Sequence, residues 1–64
     1  MKTYEFKSER NWDKAGDYLD ELSYKDQDIK YTCYGYMALT VFNGHTENTL
    51  TTFCKSHRIA IKEI

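Results

Sequence analysis

The stretch Ile29-Lys30-Tyr31-Thr32-Cys33-Tyr34-Gly35-Tyr36-Met37-Ala38-Leu39-Thr40-Val41-Phe42 decides the fold of this chain. Its apolar anchors fall on odd numbers: Ile29, Tyr31 and Cys33 before Gly35, then Met37, Leu39 and Val41 after it. A period of two marks a strand with one buried face. Residues 29–42 are nevertheless long for one strand, whose usual length is about 5–6 residues, so Gly35 is read as the break of a hairpin. A two-residue turn at Tyr34-Gly35 would pair Lys30 with Leu39 and Thr32 with Met37, mixing the faces. An odd loop centred on Gly35 sets Tyr31 against Leu39 and Ile29 against Val41, and that register is expected. One long strand bent at Gly35 keeps the same phase and is the alternative.

Upstream, residues 3–7 alternate, with Tyr4 and Phe6 on one face and Thr3, Glu5 and Lys7 on the other. They read as a short half-buried strand. Ser8 offers the N-cap of a helix running to about Ser23, with Trp12, Ala15, Leu19 and Leu22 as its apolar stripe and Tyr18 at its edge. Gly16 costs this helix up to ~1 kcal/mol relative to Ala, which close approach of a strand or side chain would explain. Residues 24–28 form a polar connection.

Downstream, Asn43-Gly44 signals a turn. A hairpin through it would set Leu39 against Asn48, so it is read as a strand-to-helix loop. Thr46 or Asn48 is expected to cap a second helix reaching about His57, with Leu50, Phe53, Cys54 and His57 on its inner face. Residues 59–64 close the chain as a strand with Ile59 and Ile61 inward. The order is βαββαβ in one α+β domain spanning residues 1–64. Two helices on one face of a small antiparallel sheet, with the ferredoxin-like arrangement as first choice, is the expected packing.

Composition narrows the function. Sixty-four residues allow one small core, in which only about 60% of the chain's surface is buried. No apolar run approaches the ~20 residues of a membrane span, and from Met1-Lys2-Thr3 no signal peptide is expected. A net charge of −1 argues against a general nucleic-acid binder. The charge is uneven, however. Residues 1–28 hold five Lys/Arg against eight Asp/Glu, and residues 29–64 hold four against two. Cys33 and Cys54 read as reduced, inward-facing thiols of a cytoplasmic protein. With His45 and His57 they lack zinc-site spacing, and neither metal nor cofactor is expected.

No sequence motif supplies converging catalytic groups, and the chain is not expected to be an enzyme. Cys54 and His57 lie one helical turn apart, but both fall on the buried stripe, where packing explains them. Tyr34 to Val41 carries the glycine and following aromatic of the third-strand signature of RNA-recognition motifs. Tyr34, Ala38 and Val41 stand where that signature has a basic residue and two aromatics, so the motif is not met. Tyr34, Tyr36 and Phe42 are candidate partner contacts as an exposed aromatic cluster.

The first helix carries the most informative polar pattern. Glu9, Asp13, Asp17 and Glu21 recur every fourth residue with Asp20 beside them, opposite the Trp12/Leu19 stripe. Like charges at that spacing oppose helix formation by ~0.2–0.5 kcal/mol per pair, and Arg10 and Lys14 offset the row only in part. Successive acids rise by ~6 Å, near two phosphate steps of a DNA strand. The expected function is that of a non-enzymatic inhibitor or regulator, docking this ridge on a basic surface of a protein partner that itself handles nucleic acid. The chain looks like a small bacterial or phage product, which makes a phage-type inhibitor of a host defence or nucleic-acid-processing system the most concrete version. The alternatives are a weak nucleic-acid-binding module using Lys30, Tyr34, Tyr36, Lys55, Arg58 and Lys62, and a structural homodimer.

Overall fold

Alternation of Tyr4 and Phe6 with Thr3 and Glu5 produces strand β1 (Lys2–Phe6), with both rings buried. In the computed structural model, which describes residues 1–64, β1 is followed by α1 (Glu9–Ser23), β2 (Tyr31–Cys33), β3 (Ala38–Val41), α2 (Gly44–Ser56) and β4 (Ile61–Glu63). β1 pairs antiparallel with β3 on one side and β4 on the other, and β2 pairs antiparallel with β3. The resulting order, β2-β3-β1-β4, is that of the ferredoxin-like arrangement. Both helices cover the same face. Tyr4, Phe6, Leu39 and Val41 from the sheet meet Ala15 and Leu19 of α1 and Leu50, Phe53 and Cys54 of α2, with Ile29 and Ile59 closing the core from the connections.

The segment around Gly35 is a hairpin, but its register differs from the expected one. Tyr31 faces Val41 and Cys33 faces Leu39, a shift of two residues that preserves the odd-with-odd pairing. The Tyr34 N–H still donates to the Ala38 carbonyl at 3.0 Å, so the turn is confined to Gly35, Tyr36 and Met37 and centres on Tyr36. Gly35 and Met37 adopt the left-handed region at φ 64° and 61°. Glycine does so freely, whereas methionine is strained there. That conformation aims the Met37 carbonyl at the Phe6 N–H, which donates to it at 2.7 Å.

Each helix has a side-chain cap. The Ser8 hydroxyl accepts the Asn11 N–H at 3.2 Å, as anticipated. The cap of α2 is Asn43 rather than Thr46 or Asn48: its Oδ1 accepts the Thr46 N–H at 2.7 Å. Asparagine ranks above threonine as a cap, and Thr46 is engaged elsewhere. Its fully buried hydroxyl accepts the Lys30 N–H at 2.9 Å and donates to the Asp28 carbonyl at 3.2 Å, tying the entry of β2 to the start of α2.

Several expected core positions lie at its rim. Trp12, Leu22, Tyr31 and Ile61 are half-buried, while Ala15 and Cys54 are enclosed. Cys33 has the inward phase yet is exposed. β2 is an edge strand and α1 packs on β1 and β3, so no helix lies over the end of β2. His57 is also exposed, not inward. It caps the C-terminus of α2, stacks on Phe53 at 4.2 Å and donates its Nδ1–H to the Phe53 carbonyl at 3.0 Å.

A polar clasp joins β1 to α2. Lys2 Nζ lies 2.9 Å from Glu47 Oε2, and the Tyr4 hydroxyl donates to that oxygen at 2.8 Å. The hydrogen bond from Lys2 and then that from Tyr4 hold the Glu47 carboxyl below its ordinary range. Burial, followed by the bond to Glu47, pushes the Tyr4 hydroxyl up to about 12. A lowered carboxyl stabilises the fold above its unfolded value and loses that contribution as pH falls. A raised phenol does so below its unfolded value and loses the contribution as pH rises. Stability is therefore expected to decline below about pH 4.5 and again from pH 10 to 12. In denaturant titrations, Glu47→Gln should blunt the acid decline and Tyr4→Phe the alkaline one.

The two glycines flanking this architecture should respond oppositely to alanine. The Tyr31 hydroxyl reaches the Gly16 carbonyl at 3.3 Å, but nothing lies within 4 Å of a Cβ added at Gly16, so no close approach demands the glycine. Gly16→Ala should stabilise by about 0.5–1 kcal/mol. Gly35 also has open space but sits at φ +64°, and Gly35→Ala should destabilise by about 1 kcal/mol. Melting temperatures of the two variants read both signs directly.

Candidate functional site

The acids of α1 are the residues from which a site can be built. Glu9, Asp13, Asp17, Asp20 and Glu21 are all exposed. The ion pairs of the molecule are Lys2–Glu47 and His45–Asp26, so none of these five carboxylates is paired with a cation of its own chain. Asp13, Asp17 and Asp20 line a groove of about 210 Å³ between α1 and the edge strand β2, together with Trp12 and Gly16 of the helix. Tyr31, Cys33 and Leu39 contribute the sheet side. The groove exists because α1 packs mainly on β1 and β3 and meets β2 through Tyr31, and because Gly16 puts no side chain into the gap.

One tyrosine lines the groove and a second packs beside its Trp12. The Tyr31 hydroxyl crosses from β2 and donates to the Gly16 carbonyl at 3.3 Å. Burial, and after it the negative field of Asp20 and Asp17 among its neighbours, pushes the pKa of that phenol above its ordinary value. Tyr36 leaves the sheet and packs edge-on against Trp12 at 5.6 Å, donating to Glu9 Oε2 at 3.2 Å. The bond to Glu9 raises the Tyr36 phenol in turn. Trp12 itself donates Nε1–H to the Ala38 carbonyl at 3.1 Å, which anchors α1 over the hairpin. Glu21 lies beyond the groove on the same helix flank.

The aromatic candidates do not form one cluster. Tyr36 belongs to the α1 side, whereas Tyr34 and Phe42 extend the even-numbered phase of β2 and β3 on the face away from the helices. The basic set is likewise divided: Lys30 and Lys62 share that uncovered face, while Lys55 and Arg58 lie at the C-terminal end of α2. The groove was not visible in the sequence. Its one available signal was Gly16, an unfavoured residue in mid-helix beside three of the acids.

This geometry suits recognition of positive charge. Carboxylates on one wall and the rings of Trp12 and Tyr31 beside them offer ion pairing and cation–π contact to a lysine or arginine side chain. The volume is below the roughly 300 Å³ at which small-molecule pockets begin, so it fits a protruding side chain better than a cofactor. No group of three or more His, Cys, Asp and Glu side chains is arranged to hold a metal ion. The buried Cys54 thiol is pushed up to about 11 by desolvation, opposite to what a nucleophile requires. No helix is long and apolar enough to cross a membrane. Comparison with protein-family models, with curated proteins and with solved structures finds no match.

The two thiols are free, one exposed and one buried, and should differ sharply in reactivity. Iodoacetamide at pH 8 is expected to add one carbamidomethyl group, located at Cys33 by peptide mass mapping. Cys54 should be modified only once denaturant unfolds the chain.

Proposed function

We propose that this chain is a non-enzymatic binding protein that sets the acidic flank of α1 and the adjoining groove on a basic surface of a protein partner. One observation carries the reading: three carboxylates without a cation in their own chain rim a side-chain-sized groove whose floor is kept open by Gly16. A glycine in mid-helix gives up about 1 kcal/mol of helix stability, and the space around this one holds nothing that demands it. A partner's arginine or lysine entering that space supplies a reason for both the glycine and the acids. The partner surface is then basic, which suits a protein that itself holds nucleic acid. Occupying such a surface would block it, so the role is that of an inhibitor or regulator. The most specific version is a phage-type inhibitor of a host defence or nucleic-acid-processing system, acting in the cytoplasm.

Two kinds of variant test the groove. Reversing Asp13, Asp17 and Asp20 to lysine removes the charge, and Gly16→Leu fills the gap without changing it. Both positions are exposed or spacious enough for α1 to remain folded, which circular dichroism would verify. Proteins retained by the immobilised parent chain from a bacterial lysate at low salt should be lost with either variant and released by added salt, since exposed ion pairs are screened within ~10 Å at 0.1 M. Retention indifferent to the charge reversal and to Gly16→Leu would overturn the proposal.

A further inference from the structure

The face of the sheet turned away from the helices is uncovered. Antiparallel register places three short rows across it: Lys30 and Phe42 in the first, Thr32, Thr40, Thr3 and Ile64 in the second, Tyr34, Ala38, Glu5 and Lys62 in the third. The middle is low and polar. Thr40 and Ala38 are each only 4% exposed, sunk among longer neighbours on the same face, and the Thr3 and Thr40 hydroxyls share a hydrogen bond of 2.8 Å. The aromatic high points are two rings, Tyr34 at 61% exposure and Phe42 at 46%, and Ile64 stands exposed at the β4 edge. The two rings stand at opposite ends of the face, four residues apart along β3 once Tyr34 is projected onto its partner Ala38. That is about 13 Å at ~3.3 Å per residue, close to four base steps of ~3.4 Å.

We infer that this face is a docking platform for a short single-stranded nucleic acid, with a base stacked on each of Tyr34 and Phe42 and the backbone passing Lys30 and Lys62. Charge complementarity selects this occupant. The face carries two lysines against the single acid Glu5, while the five α1 acids are on the helix layer. A net charge of −1 is an average over two layers of opposite sign and does not describe either one. Separated exposed rings suit a chain of bases, each of which has a stacking face. Self-association fits less well, because an interface core is apolar and poor in lysine, whereas the centre of this face is threonine and its one exposed aliphatic side chain, Ile64, lies at the β4 edge. Tyr36, which the sequence grouped with Tyr34, takes no part, since its ring is held against Trp12.

The test uses the full chain and fluorescently labelled 12-nucleotide oligo(U) and oligo(dT), read by anisotropy. Saturable binding is expected within the non-specific range of roughly 10⁻⁶–10⁻⁴ M. Tyr34→Ala and Phe42→Ala should each weaken it by about fivefold or more, the loss of one stacked base. Lys30→Ala and Lys62→Ala should each reduce the slope of log affinity against log salt by about 0.7. All four side chains are exposed, so these variants should keep the parent's circular dichroism. Asp17→Asn, on the helix layer, should leave affinity unchanged or tighten it, which separates this face from the groove. Absence of binding at about 500 µM, beyond the weak end of the non-specific range, or binding unaffected by both ring variants would overturn the inference. Sedimentation showing a parent dimer that Tyr34→Ala and Phe42→Ala dissolve would overturn it too, and would assign the face to contact between copies.

Discussion

The antiparallel ladder between β1 and β3 is the constraint on which the rest of the molecule depends. It joins the start of the chain to residues 38–41, pairing Lys2 with Val41 and Glu5 with Ala38. Tyr4 and Phe6 from one strand and Leu39 and Val41 from the other form the floor onto which both helices pack. Neither strand would hold this position alone, because a short antiparallel pair is marginal in water. Its stability comes from the helices, which are short and uncovered without it. With Asn43, Thr46 and Asp28 locking α2 to the entry of β2 and Trp12 tying α1 to Ala38, the two layers are fixed by hydrogen bonds at both ends. No disulfide or metal ligand set assists them.

Much of this fold was legible because its signals are periodic. The odd-number rule over residues 29–41, the stripe from Trp12 to Leu22 and the cap at Ser8 give the phase and start of these elements, and the strand pairing, the burial of Ala15 and Leu19 and the Ser8 cap follow them, although β3 is buried on both faces. What failed was non-periodic. The hairpin register moved by two because Met37 enters the left-handed region, and nothing local marks a methionine for that conformation. Its reward is the hydrogen bond from Phe6, a residue 31 positions away. Cys33 has the right phase but the wrong burial, since phase is a property of the strand and burial a property of what lies over it. The cap of α2, read as Thr46 or Asn48, is Asn43, and the Thr46 hydroxyl is claimed by Lys30 and Asp28.

The candidate site was legible to the same limited depth. Spacing alone showed that the α1 acids share a flank. It could not show that α1 is displaced toward β1 and β3, and that displacement is what turns a charged flank into the wall of a groove. Proximity in sequence was equally misleading for the aromatics: Tyr34 and Tyr36 are two residues apart, yet the turn between them sends one to the outer face of the sheet and the other onto Trp12. A tight turn containing two left-handed residues breaks the alternation that would otherwise keep them together.

The uneven charge of the two halves of the sequence acquires a spatial meaning in this topology. α1 comes wholly from residues 9–23 and supplies the acids of one outer surface. Lys30 and Lys62 enter with the two edges of the sheet, because the strand order places β2 and β4 outermost. A two-layer domain has two outward faces, one of helix and one of sheet, and here the chain order delivers acid to the first and base to the second. Had the acids been spread evenly over the sequence, Lys14, Arg10 and their neighbours would have neutralised them locally, as ion pairs one turn apart do on ordinary helices. Their segregation leaves carboxylates unpaired on α1 and leaves Glu5 as the only acid among the lysines of the open face. Mutual repulsion along α1 and strain at Met37 are both tolerated by a domain with little stability to spare, and each maintains a surface feature: the acid flank in one case, and in the other the turn that parts Tyr34 from Tyr36.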